Sequence, residues 1–343
     1  MRNVFHRIQL LAAGVLLFLS FQASAFEAGW QQITIAGPTP DAAPTVVALY
    51  YPTQTPARST AMGPFTVRAA IQAPPVDKLK GLIVLSHGIS GTELGHSSLA
   101  EALAQDGYLV AALRHPGDNW QDHSLQQKGA RAYFMERPQQ VSRVIDALLR
   151  DTRWKDRIPS DAQGPRIGAV GHSAGGYTVL ALAGGQADLS RIGKHCESER
   201  ADDPTFCGMD RGFAPSTGAP MPPAPLPSLR DPRVRAVVSM APMGVPFTAS
   251  SLAAVKIPVA VYAPELDRFL VPRFHAEWIA QNLPGVELRR VPNAAHFAFM
   301  DMPSTSIPTE GGDIKADPAG FDRSAFLLQL GREVPAFFDR AFP

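Results

Sequence analysis

Gly171-His172-Ser173-Ala174-Gly175 fits the pattern G-x-S-x-G, and its flanks give the pattern a mechanical meaning. Arg166–Val170 before it is a short apolar run that reads as a buried strand, and Gly176–Ala183 after it reads as a helix. Strand, sharp turn and helix in that order define a nucleophile elbow. The turn leaves no room for Cβ atoms beside the serine, which is why glycine stands at 171 and 175. Such a turn lifts the Ser173 hydroxyl above the sheet, at the positive end of the following helix.

Working outward, apolar runs alternate with helical spacing. Leu82–Ser86, Tyr108–Leu113, Val234–Met240, Pro258–Ala263 and Val286–Val291 read as buried strands. Thr92–Gln105, Pro138–Leu149, His275–Asn282 and Ser324–Arg340 read as helices, with Pro138 suited to a first turn. Strands apolar on both faces mean a mostly parallel central sheet with helices on both sides, an α/β class. Gln31–Ala36 and Thr45–Tyr51 are two early strands expected to pair antiparallel at one edge. Residues 185–231 break the rhythm. They carry Pro215, Pro220, Pro222, Pro223, Pro225 and Pro227, which argue against both helix and ladder. This Pro-rich insertion leaves the sheet just after the elbow helix, so a cap or rim over the site is expected there.

A serine hydroxyl needs a base, and the base needs an acid to fix its tautomer. In this arrangement the chain order is Ser, acid, His. Of the nine histidines, His296 follows the last strand in a suitable loop, whereas His275 falls in a helix and reads as a surface residue. Asp267, just past Pro258–Ala263, is the acid, with Glu265 as its competitor. An oxyanion would be held by the N–H of Ala174 and by a second N–H after His87-Gly88, with Ile89 the first choice and Ser90 the second. His87 and His172 flank the chemistry and are expected to shape turns. Gly95-His96-Ser97-Ser98 resembles the elbow but lacks its closing glycine.

The chain of 343 residues is 45% hydrophobic and 18% charged, which suits one large domain. Arg2, His6 and Arg7, the apolar run Leu10–Leu19 and Ala23-Ser24-Ala25 have the layout of a signal peptide. Residues 1–25 are therefore expected to be removed after Ala25, leaving a domain over 26–343 that is periplasmic or secreted, with no stable membrane anchor. Loss of Arg2 and Arg7 turns the net charge of +1 into one net negative charge, so nucleic acid is an unsuitable partner. In an oxidising compartment Cys196 and Cys207 suggest a disulfide worth roughly 2–3 kcal/mol. A zinc site with His195 is the alternative, although no further ligands stand out. No cofactor or metal is called for by the Ser-His-Asp chemistry.

Leu85-Ser86-His87-Gly88-Ile89-Ser90-Gly91, the elbow motif, Asp267 and His296 together resemble the serine α/β-hydrolases. Within them the resemblance is to the bacterial branch related to platelet-activating-factor acetylhydrolase, often labelled dienelactone hydrolase. Arg114-His115-Pro116-Gly117, Arg137-Pro138, the Cys196–Cys207 segment and Arg230–Val234 agree with it. The resemblance covers residues 30–342 and implies an α/β-hydrolase fold and cleavage of carboxylic esters, of short acyl chains in the acetylhydrolases. Dienelactone hydrolases are similar but use cysteine where Ser173 stands, which favours ordinary esters. Exported polyester hydrolases are similar too, and a lipid-like or polymeric ester is the alternative substrate. A peptidase, amidase or acyltransferase would share the triad, and a non-catalytic binding module is the reading from another class.

Overall fold

The computed structural model describes residues 26–213 and 225–343, with the backbone alone for 210–213. The expected leader and Pro215, Pro220, Pro222 and Pro223 lie outside the described residues.

Ten strands form the main sheet: β1 (Glu27–Ile35), β2 (Thr45–Thr53), β3 (Arg58–Met62), β4 (Phe65–Ile71), β5 (Leu82–Ser86), β6 (Leu109–Arg114), β7 (Ile167–His172), β8 (Val234–Met240), β9 (Val259–Pro264) and β10 (Glu287–Val291). Their order is β10-β9-β8-β7-β5-β6-β2-β1-β4-β3. From β10 to β6 every pairing is parallel. The early strands add an antiparallel edge, β2 against β6 and β1 against β2. Every residue of β5 and of β7 is buried, as strands covered on both faces must be.

Helices cover both faces: α1 (Ser97–Gln105), α2 (Ala130–Arg150), α3 (Ala174–Ala183), α4 (Ser190–Ser198), α5 (Pro204–Phe213), α6 (Ala276–Asn282) and α7 (Arg323–Ala341). On one face Leu99 and Leu103 of α1 join Leu330, Val334 and Phe338 of α7 in a core under Ile83, Val170 and Val238. On the other, Val141 and Val144 of α2 and Leu180 of α3 pack with Val84, Ala169 and Val237. The odd and even residues of each strand thus feed separate cores.

Three expectations are corrected. First, α2 does not begin at Pro138 but eight residues earlier, and Pro138 lies inside it. Proline leaves the carbonyl four residues back without its helical donor. That carbonyl belongs to Phe134, and the Tyr177 hydroxyl of α3 donates to it at 3.2 Å. Second, the stretch after Gly185 is not devoid of regular structure, because α4 and α5 occupy most of 190–213. Pro204 is the only proline there, and it opens α5, where a missing N–H costs nothing. Third, His275 is fully buried rather than on the surface. It precedes α6 with both ring nitrogens engaged: Nδ1 accepts from Gly244 N–H at 3.0 Å and Nε2–H donates to Asp203 at 2.9 Å. Burial, opposed by Asp203, keeps its basicity below the usual histidine value.

The cysteines form a disulfide, Cys196–Cys207, that joins α4 to α5. With both sulfurs in that bond, the zinc alternative falls. Among the described residues no helix is long and apolar enough to cross a membrane.

Candidate active site

Ser173 stands at the C-terminal end of β7, between the ends of β5 and β8, with φ 59° and ψ −119°. Such a backbone is strained for a residue with a side chain and persists only where its surroundings enforce it. Ser173 N–H donates to Met240 O at 2.9 Å, and Ser173 O accepts from Met243 N–H at 3.2 Å. The flanking glycines are obligatory. A Cβ on Gly171 would lie 2.0 Å from the Gly175 carbonyl oxygen, and a Cβ on Gly175 would lie 1.9 Å from that of Ser86. Both obstacles are backbone and cannot rotate away. Gly175→Ala is therefore expected to cost about 3 kcal/mol or more through overpacking. Thermal melting would register this as a large fall in Tm, and an unchanged Tm would show that the elbow can shift.

His296 opens a 3₁₀ turn, His296–Phe299, after β10. Its Nδ1–H donates to Asp267 Oδ2 at 2.8 Å. The other oxygen of Asp267 accepts two backbone N–H groups, from Phe269 at 2.8 Å and Leu270 at 2.9 Å. The carboxylate is thus buried, fully bonded and aimed at the imidazole, whereas Glu265 is exposed. The His296 ring lies flat on Phe269, with centroids 4.7 Å apart. Its carbonyl accepts from His172 Nε2–H at 2.9 Å. Burial and the nearby imidazoles of His296 and His96 hold His172 well below the usual histidine range, so it stays neutral. His96, lowered to about 4 by burial, donates to Phe299 O at 2.9 Å and pins the far end of the same turn.

Ser173 and His296 line one cavity of about 730 Å³. Among the described residues no hydrogen bond closes Ser173 Oγ onto the His296 ring. Gaps of this kind are common in unliganded sites, where the contact tightens only around substrate.

Ile89 lines the same cavity, and Ala174 directly follows Ser173, which also lines it. Neither the Ile89 nor the Ala174 backbone N–H finds an acceptor among the described residues. Ser90 differs, since its N–H donates to Asp118 Oδ1 at 2.9 Å. Its φ of 54° belongs to a turn that brings the loop close to the serine, and a Cβ on Gly88 would lie 3.2 Å from Ser173 Cβ. His87 is buried with Nδ1–H on Gly88 O at 2.6 Å, and burial together with the Arg137 charge lowers it to about 3. It accepts the His115 N–H at 3.1 Å and therefore holds the turn in its neutral form.

Several lining residues escaped the sequence reading. Gly208 and Met209 come from α5, and Gly95 and His96 from the stretch read as a mere elbow look-alike. Trp120, His123 and Gln126 come from the segment after β6, and Ile307–Glu310 with Ile314 from a small hairpin before α7. The only signal for the hairpin was the long gap between His296 and α7. Among the described residues no group of His, Cys, Asp and Glu could hold a metal ion.

A parallel sheet with an elbow serine after its central strand, and an Asp–His pair from the loops of later strands, defines the α/β-hydrolase fold. No family model matches the chain. Over 93% of its length it superposes on 91% of a ferulic acid esterase from Streptomyces cinnamoneus, with TM-score 0.61 and 20% identity. In sequence it is 30% identical over 119 residues to "Cutinase est1" of Thermobifida alba. That match takes in 35% of this chain and 36% of the relative, so the chain spans about a third of the curated relative it matches.

Proposed function

We propose that this protein is a carboxylic-ester hydrolase working through Ser173, His296 and Asp267. The observation that carries the reading is the Asp267–His296 pair at 2.8 Å, facing the cavity that also holds the strained Ser173 elbow. In this mechanism Ser173 Oγ attacks the acyl carbon while His296 Nε2 takes its proton. The N–H groups of Ile89 and Ala174 hold the oxyanion. The ester C–O bond then breaks, and the alcohol leaves with the proton from His296. Water repeats the sequence on the acyl-enzyme and releases the acid, as covalent catalysis requires. The likeness to proteins named as a ferulic acid esterase and a cutinase favours esters over amides.

The resemblance of its motifs to the acetylhydrolase-related branch supports a short acyl group on the substrate. A cavity of about 730 Å³ is of the size that holds a drug-sized molecule. Its apolar walls, Met209, Phe269, Phe297, Met300, Ile307 and Ile314, then belong to a bulky alcohol portion. Residues 185–231 supply part of the rim through α5. We further propose that residues 1–25 are a leader removed on export, giving a chain that begins at Phe26.

The test is fluorophosphonate labelling of the mature protein with mass spectrometry, run beside two ester series. One lengthens the acyl chain on a small alcohol, and the other enlarges the alcohol of an acetate. A single adduct on Ser173, with rates that rise along the second series and fall along the first, is the expected result. No adduct on Ser173 would overturn the mechanism, and sustained long-acyl activity would overturn the short-acyl assignment.

A further inference from the structure

Behind the oxyanion loop lies an ion pair that the proposed chemistry does not use. Asp118 and Arg137 are both completely buried. Their contact runs from Arg137 Nη1 to Asp118 Oδ2. Although burial works against its charge, Asp118 is held below the usual carboxylate range by the Arg137 guanidinium. Removing two charges from water is expensive, and a buried pair of this kind is often no more stabilising than well-packed apolar side chains. Stability alone therefore does not account for it.

Besides bonds with Gln126, Tyr133 and Ser86, the pair makes two to the groups that flank the proposed oxyanion site. Asp118 Oδ1 accepts the Ser90 N–H at 2.9 Å, while Arg137 Nη2 donates to the His87 carbonyl. The pair thus grips the loop on either side of Gly88-Ile89 and leaves the Ile89 N–H as the donor without an acceptor. Arg137 Nε donates to Thr178 Oγ1 at 3.2 Å, and the Thr178 hydroxyl donates to the Ala174 carbonyl at 2.9 Å. One planar guanidinium therefore ties the loop that carries Ile89 to the first turn of the helix that opens with Ala174. A lysine could keep the charge opposite Asp118 but could not fork to three partners at fixed angles.

We propose that Arg137 and Asp118 are positioning residues that set the separation and aim of the Ile89 and Ala174 N–H groups. The inference rests on the ester-hydrolase reading of Ser173. It makes the pair an element of transition-state binding, because donors misplaced by a fraction of an ångström still admit substrate but no longer match the oxyanion.

The experiment compares the wild type with Arg137→Lys, Asp118→Asn and Thr178→Val. For each it records kcat, KM and the affinity for a boronic acid, whose boron bonds to Ser173 Oγ and becomes a tetrahedral anion. Circular dichroism and thermal melting establish folding. Arg137→Lys and Asp118→Asn are expected to lose about 10²-fold in kcat, as for one misplaced oxyanion donor, with KM within about threefold. Boronate affinity should fall in step with kcat/KM. Thr178→Val removes one neutral link and is expected to lose about fivefold in kcat, and it decides the matter if the charged variants do not fold. Folded variants that melt lower but keep wild-type kcat and boronate affinity would overturn the proposal, since a purely structural pair predicts that result. Failure of the ester-hydrolase reading itself would show in the wild type, as no turnover and no boronate adduct on Ser173.

Discussion

Ser173→Ala is expected to lower kcat by roughly 10⁴- to 10⁶-fold while leaving the fold intact, the scale at which loss of a triad nucleophile acts. The fold should survive because the elbow does not depend on the hydroxyl. The turn is held by Ser173 N–H on Met240 O, by Met243 N–H and Tyr177 N–H on Ser173 O, and by the glycines at 171 and 175. Alanine adopts the φ of 59° with the same strain as serine, since both carry a Cβ. Any residual rate would come from the Ile89 and Ala174 N–H groups and from substrate binding. The checks are steady-state kinetics on an acetate ester, with Tm as the control for folding. A folded variant within tenfold of the wild-type rate would remove Ser173 from the mechanism.

The elbow was legible from sequence because much of its cause is local. Gly171 is forced by the Gly175 carbonyl inside the motif itself, so the five residues and their flanks reveal the turn, whereas Gly175 is forced by the Ser86 carbonyl of β5, which only the assembled sheet supplies. The parallel half of the sheet was legible for a similar reason, since β5, β6, β7, β8 and β9 are apolar on both faces and each starts or stops at a turn residue. The edge was harder. β3 and β4 were not anticipated, although Phe65, Val67 and Ala69 alternate with exposed neighbours as a half-buried strand does. Charged and polar side chains in β3, with Gly63 at the tip, hid the hairpin as a loop.

What remained illegible is set by long-range packing. Nothing in the local pattern joins Asp118 to Arg137, Asp203 to His275 or His172 to the His296 carbonyl, because each pair meets only after the sheet has been assembled. His275 shows the cost of reading locally. A polar residue beside a helix reads as exposed, yet Asp203 and Gly244 satisfy it in the interior. The cavity wall was equally hidden. Trp120, Met209 and Ile307 come from three separate excursions, and only their common meeting point makes them one surface. By contrast, Asp267 could be preferred over Glu265 from the turn that follows it. The reason is visible in the two N–H groups of Phe269 and Leu270 that close onto its short side chain.

Asp267→Asn is the sharper test of that arrangement, because it changes a tautomer and little else. The Asp267 carboxylate now divides its work: Oδ1 takes the Phe269 and Leu270 N–H groups, and Oδ2 takes His296 Nδ1–H. In asparagine the amide oxygen is the group able to accept the two backbone donors, so the NH₂ must face His296. An NH₂ cannot accept from Nδ1–H, and His296 would shift its proton to Nε2 to receive it. Nε2, the nitrogen that the proposed mechanism uses as the base, would then carry a hydrogen and could no longer take the serine proton. The expected result is a loss of about 10³- to 10⁴-fold in kcat at neutral pH, with little change in KM or Tm. The isosteric replacement keeps an acceptor for the Phe269 and Leu270 N–H groups, so a large fall in Tm would point to a structural role for the charge. Retention of more than a tenth of wild-type kcat would mean that His296 does not depend on Asp267 for its tautomer, and the acid of the mechanism would have to be sought elsewhere.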